Sequence, residues 1–143
     1  MGLEVLFVIR DLRVLILVSC YHVYLADLVL NRLKACSNAS GIVYDIVWFS
    51  GVYELGWLLN VGAVRYCACV VLGFVLKGIS EHSNHVITSV YNTILKYPVI
   101  NAVYALSRVE QAWLKAFSLD AKALVVSLNS VLGASAIVNV GRT

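Results

Sequence analysis

The apolar residues of this chain fall into long runs, separated by short polar breaks. Val14 to Leu30 is 17 residues with one acid, Asp27. That is enough to cross a hydrocarbon core if the flanks contribute. Ala123 to Gly141 is 19 residues without a charge, about 28 Å as a helix. Leu58 to Leu76 is broken only by Arg65 and predicts a third span. It is the second part of a long apolar segment from Ile42, expected as one long tilted helix or as two pieces hinged near Asn60-Val61-Gly62.

Between the runs the pattern changes. Cys36 to Gly41 reads as a turn, and Lys77 to His85 as a polar loop. From His85 to Tyr97, Val86, Val90 and Ile94 recur every four residues and predict an amphipathic helix, which Pro98 ends or kinks. Val99, Val103, Leu106, Val109, Trp113 and Phe117 form a stripe that suits a helix lying at a membrane interface, or one packed in a larger assembly. Ser118 and Asp120 suit the start of the last helix.

The expected fold is therefore all-α: one membrane-embedded unit over residues 1–143, with about two to four embedded helices and one or two amphipathic surface helices. A β-barrel fits less well, because Val70-Val71-Leu72 and Leu124-Val125-Val126 do not alternate.

Composition strengthens this expectation. Of 143 residues, 61% are hydrophobic and 13% charged, and mean hydropathy is +0.85. Soluble domains run nearer half apolar and a quarter charged, so composition argues against an ordinary soluble enzyme. The net charge of +3 is dispersed without a basic run, which argues against nucleic acid as a partner. The N-terminus lacks a secretory pattern, because Glu4 is its first charge, and reads as mature protein.

Candidate chemistry is sparse. Asp27, Asp45, Glu54 and Arg65 interrupt apolar runs and need partners if buried in lipid. Glu54 and Arg65 are eleven residues apart; about 16 Å along a helix prevents a direct pair. Arg10, Arg13, Arg32, Lys34, Trp113, Lys115 and Arg142 sit at segment ends, as headgroup contacts do. Ser130, Gly133 and Ala134 are small enough for close helix packing. His22, between two tyrosines, is considered as an axial ligand to a pigment or haem, but no second ligand accompanies it. His82 and His85 lack further zinc ligands, and Cys67-Ala68-Cys69 has the wrong spacing for a redox or zinc motif. Neither a metal nor a cofactor is expected. Asn38-Ala39-Ser40 matches the short N-glycosylation pattern. Val43-Tyr44-Asp45-Ile46-Val47-Trp48 is echoed nine residues later by Val52-Tyr53-Glu54-Leu55-Gly56-Trp57.

The reading that follows is a non-catalytic accessory subunit of a large membrane complex. Its expected partners are other membrane subunits and phospholipids. A respiratory complex or ATP synthase in the mitochondrial inner membrane is the expected setting. The alternative is a small self-assembling channel, transporter or viral-type membrane protein, with Asp27, Asp45 or Glu54 lining a polar path. A pigment or haem carrier built on His22 is a third reading.

Overall fold

The computed structural model describes residues 13–76, 88–90, 92–94 and 99–141, with side chains of the last helix described to residue 133. It overturns the all-α membrane expectation. Four strands, β1 (Arg13–Ser19), β2 (Val43–Phe49), β3 (Ala68–Leu76) and β4 (Val99–Leu106), form one parallel sheet in the order β2-β1-β3-β4. Four helices are α1 (Val23–Ala39), α2 (Val52–Arg65), α3 (Val109–Ser118) and α4 (Ala121–Gly141). Residues 88–90 and 92–94 are also helical.

The physical error in the membrane reading lies in β1. Val14, Ile16 and Val18 pack with α1, α3 and α4 on one face of the sheet. Leu15 and Leu17 pack with α2, Val90 and Ile94 on the other. Alternation along the strand is thus between two buried faces, so no polar position marks the period. β3 repeats this: Val70, Leu72 and Phe74 face one way, Cys69, Val71 and Val75 the other. A run of this kind reads as a lipid span only when it is joined to the helix next to it in sequence, α1 after β1 and α2 before β3.

The expected span Val14 to Leu30 is β1, a turn and the first half of α1. The segment from Ile42 to Leu76 is β2, α2 and β3. The expected hinge at Gly62 is the inside of α2, where a Cβ would lie 2.7 Å from Cys69 Sγ and 2.9 Å from Leu15 Cδ2. The expected interfacial helix from Val99 is β4 followed by α3. The last segment is helical, but Val125, Leu128 and Leu132 are buried against the core. Among the described residues no single helix is long and apolar enough to cross a membrane. Only α3 and the first part of α4 together reach that composition, and they are bent by 63°.

Local signals fix the connections. Gly41 takes φ +72 after α1. Its N–H donates to Asn38 O at 3.2 Å and that of Ile42 to Ser37 O at 3.0 Å, so the helix ends in a Schellman turn. The Asn38 amide oxygen accepts from Tyr44 Oη at 3.0 Å, which ties this turn to β2. Asp120, rather than Ser118, caps α4, accepting from the N–H groups of Lys122 and Ala123 at 3.0 and 3.3 Å.

Candidate active site

The chain leaves β1 towards β2, then crosses back past β1 to β3 and β4. In an open parallel sheet, such a reversal of direction leaves a crevice at the carboxyl ends of the strands. Here it lies over β1 and β3. The two sides are held close, because a Cβ on Gly73 of β3 would meet Ser19 Cβ of β1 at 2.8 Å.

Two turns deliver side chains to this rim. After β1 come Cys20, Tyr21 and His22; after β2 come Ser50, Gly51, Tyr53 and Glu54. The Cys20 N–H donates to Phe49 O at 2.9 Å and ties the turns together. Tyr21 is 53% exposed and Tyr53 is 97% exposed. Two tyrosines so accessible beside a buried sheet offer aromatic faces for a planar ligand. Neither α1 nor α2 has a side-chain cap at its start, at His22 and Gly51 respectively, so helix-start N–H groups remain available at the rim.

Glu54 is already engaged. Its Oε2 accepts from Ser50 N–H at 2.8 Å. That backbone hydrogen bond holds its carboxyl below the ordinary carboxylate range. It therefore fixes the turn that carries Tyr53. His22 is half-buried, and desolvation lowers its pKa, so the ring is neutral near pH 7.

On the α1 and α3 side of the sheet, a half-open cleft of about 310 Å³ opens between the β1–α1 turn and α3. Its walls include Cys20, Tyr21, His22, Tyr24, Val109 and Trp113.

The structure disperses the residues singled out from the sequence. Asp27 is exposed on α1, where its carboxylate accepts from Asn31 Nδ2 at 3.5 Å. Asp45, far from the rim, accepts from Tyr66 Oη at 2.7 Å and pairs with Arg13 at 3.8 Å. Glu54 and Arg65 occupy the first and last turns of α2, each where the helix dipole favours its charge. Arg32 donates to main-chain carbonyls at the end of α3. Lys34 is half-buried on α1. Lys115 Nζ lies 4.7 Å from the centre of the Tyr104 ring. Trp113 stacks on Phe117. Ser130 donates to Val126 O within α4, and a Cβ on Gly133 would meet only open space. Ala134 is in α4, its side chain outside the described residues, and Arg10, Arg142, His82 and His85 also lie outside them. All four cysteines are thiols; burial pushes that of Cys69 up to about 11. Among the described residues, no group of three or more His, Cys, Asp or Glu is placed to hold a metal ion.

Residues 11–134 match the family profile described as 6,7-dimethyl-8-ribityllumazine synthase. The chain belongs to that family. A curated relative is 6,7-dimethyl-8-ribityllumazine synthase 1 of Rhizobium meliloti (strain 1021), 25% identical over 148 residues, which cover 88% of this chain and 97% of the relative. Among solved structures, the chain is similar in fold to a split gene transketolase, described as an inactive beta4 tetramer, at a TM-score of 0.50 and 19% identity. That match covers 86% of this chain and 40% of the transketolase chain, so this protein spans less than half of that molecule's length.

The lumazine synthases are enzymes of riboflavin biosynthesis. This overturns the non-catalytic reading and the placement in a respiratory complex or ATP synthase of the mitochondrial inner membrane. The expected partners, membrane subunits and phospholipids, are corrected with it, because lumazine synthases assemble into oligomers rather than membrane complexes. The channel alternative also loses its basis, because it depended on acids placed within spans.

Tyr21 and Tyr53 are not among the residues that the apolar pattern singles out. Both follow a short apolar run at a turn, Tyr53 just after Ser50-Gly51. The signal was there, but it becomes visible only when the runs are read as buried strands.

Proposed function

We propose that this chain forms 6,7-dimethyl-8-ribityllumazine in the crevice over the carboxyl ends of β1 and β3. The family match over residues 11–134 carries the reading. The product's name defines the chemistry. Its two methyl-bearing ring carbons and their methyls make a four-carbon unit, bonded to two nitrogens of a pyrimidine that carries a ribityl chain. From a four-carbon donor at the dicarbonyl oxidation level, making the two carbon–nitrogen bonds requires each of two amines to add to a carbonyl carbon, with one water leaving for each bond formed. Holding two flat reactants together in the correct orientation supplies much of such a rate enhancement.

The rim suits that task. Tyr21 and Tyr53 offer stacking faces. The uncapped starts of α1 and α2 offer N–H donors to ribityl hydroxyls or carbonyl oxygens. Glu54 is a positioning residue, holding the Ser50 turn beneath Tyr53. Exposed Trp57, Leu114 and Phe117 support assembly with further copies of the chain.

The test is product formation from a ribitylamino-substituted aminouracil and a four-carbon carbonyl donor, followed by mass spectrometry against the uncatalysed background. The native chain should exceed background, and Tyr53→Ala should lose at least ten-fold of that excess while unfolding at the native temperature. Native protein at background rate, in an assay where the Rhizobium enzyme is active, would overturn the proposal.

A further inference from the structure

We propose that Ser19, the last residue of β1, is a positioning residue of the reaction centre. Its hydroxyl holds the main chain at Tyr21, and through it the aromatic face offered to the pyrimidine reactant, a role that rests on the reaction proposed above.

Strand pairing places the residue. β1 runs beside β2 as far as Ser19, opposite Phe49, but its ladder with β3 ends one residue earlier, at Val18 opposite Leu72. Ser19 therefore stands where the sheet opens, directly before the turn of Cys20, Tyr21 and His22. Side chains alternate between the two faces of a strand. Leu15 and Leu17 lie on the face covered by Leu55 and Leu59 of α2, so Ser19 belongs to that face too, beneath the helix whose first turn carries Tyr53. Cys69 and Val71 share this face, and Gly73 follows them on it. A Cβ on Gly73 would lie 2.8 Å from Ser19 Cβ and 3.6 Å from Ser19 Oγ. Ser19 thus occupies space that only a glycine on the facing strand leaves free.

The hydroxyl has a definite task there. Ser19 Oγ accepts from the Tyr21 N–H at 3.2 Å. The preceding N–H, of Cys20, donates to Phe49 O at 2.9 Å. Two successive amides of the turn are therefore anchored, one to the end of β2 and one to Ser19. No side-chain cap at His22 holds the turn from the helix side. The Tyr21 ring packs edge-on against His22 at 5.0 Å and otherwise stands half-exposed, so the anchored main chain decides where its open face lies. Ordering that face before the reactant arrives reduces the entropy lost on binding.

The experiment measures binding of the ribitylamino-substituted aminouracil alone to the full chain by calorimetry, which requires no turnover. Native protein should bind. Ser19→Ala should weaken binding about five-fold, the scale of one neutral hydrogen bond, and Ser19→Thr, which keeps the hydroxyl, should largely restore it. In a Tyr21→Ala background Ser19→Ala should add no further loss, because it acts through the tyrosine. Amide hydrogen exchange gives a readout independent of any ligand: in Ser19→Ala the Tyr21 N–H should exchange several-fold faster, with that of Val18 unchanged. No binding by native protein, an unmoved Tyr21 amide in Ser19→Ala, or an equal loss from Ser19→Ala in the native and Tyr21→Ala backgrounds would each overturn the role of Ser19. Product formation is measured separately. A chain that gives the expected binding results but makes no product would refute the reaction alone, and an unmoved amide in a chain that makes product would refute the positioning alone.

Discussion

Arg32 on α1 donates from Nη1 to the main-chain carbonyl of Phe117 at 3.2 Å. The same guanidinium reaches the carbonyls of Ala116 and Leu119. A cation thus sits on the carboxyl end of α3, where helix carbonyls lack internal partners and the dipole favours positive charge. This contact joins the helix behind the rim to the helix that walls the cleft. Arg32→Met keeps the aliphatic stem and removes the charge and donors. It should cost about 2 kcal/mol of stability, the scale of hydrogen bonds from a charged group, read by denaturant unfolding. A loss under a few tenths would show that solvent replaces the contact.

Gly62 allows α2 to settle on the sheet. Added to Gly62, a methyl would meet Cys69 Sγ at 2.7 Å and Leu15 Cδ2 at 2.9 Å. Gly62→Ala should destabilise by about 1–3 kcal/mol through overpacking, despite the better helix propensity of alanine. Cys69→Ala should recover part of that loss in the double variant. Gly133→Ala, where a Cβ meets open space, should be neutral or stabilising in the same assay.

Tyr66 anchors the opposite end of the sheet, donating to Asp45 Oδ2 at 2.7 Å. Burial, then this bond to a carboxylate, raises the phenol above its ordinary 10.0. A raised folded pKa gives stability that is full below pH 10 and is lost as pH climbs through the folded value. Ultraviolet titration should show a tyrosine step above pH 10, and Tyr66→Phe should remove that step and cost about 1 kcal/mol. A Tyr66 that titrates at or below its ordinary 10.0 would contradict the contact.

Glu54 works at the acid end. Its folded pKa lies below the ordinary 4.5 because it accepts from Ser50 N–H. Its contribution is present above pH 4.5 and is lost as pH falls through the folded value. Glu54→Gln should lower stability near neutrality and flatten the profile in that acid window, so that the variant and the native chain converge as pH falls. An unchanged acid slope would show that the carboxylate is not engaged.

The echoed hexads show why so little of the fold was legible. Val43-Tyr44-Asp45-Ile46-Val47-Trp48 is β2, whereas the near-copy from Val52 to Trp57 opens α2. Nearly the same apolar pattern becomes strand or helix according to neighbours: β2 pairs beside β1, and the second copy follows Ser50-Gly51 and is started by Glu54. Tertiary context overrides propensity here. Local features were more legible. The turn before Ile42 and the last helix were both visible, and Asp120 was placed at that helix's start, although as a first-turn acid rather than its cap. The rim was not, because locating it requires the strand order, and the runs buried on both faces concealed the strands themselves. The short length of each run, bounded by Cys20 to His22 and by Ser50-Gly51, was the missed clue.

Hydrogen exchange across residues 14–39 tests the central claim most directly, because the β1–α1 turn interrupts what the sequence presents as one apolar helix. The α/β fold predicts two protected blocks, β1 and the body of α1 from about Ala26, separated by faster exchange at Tyr21 to Val23. Unbroken protection from Val14 to Leu30 would contradict the fold and the crevice built on it.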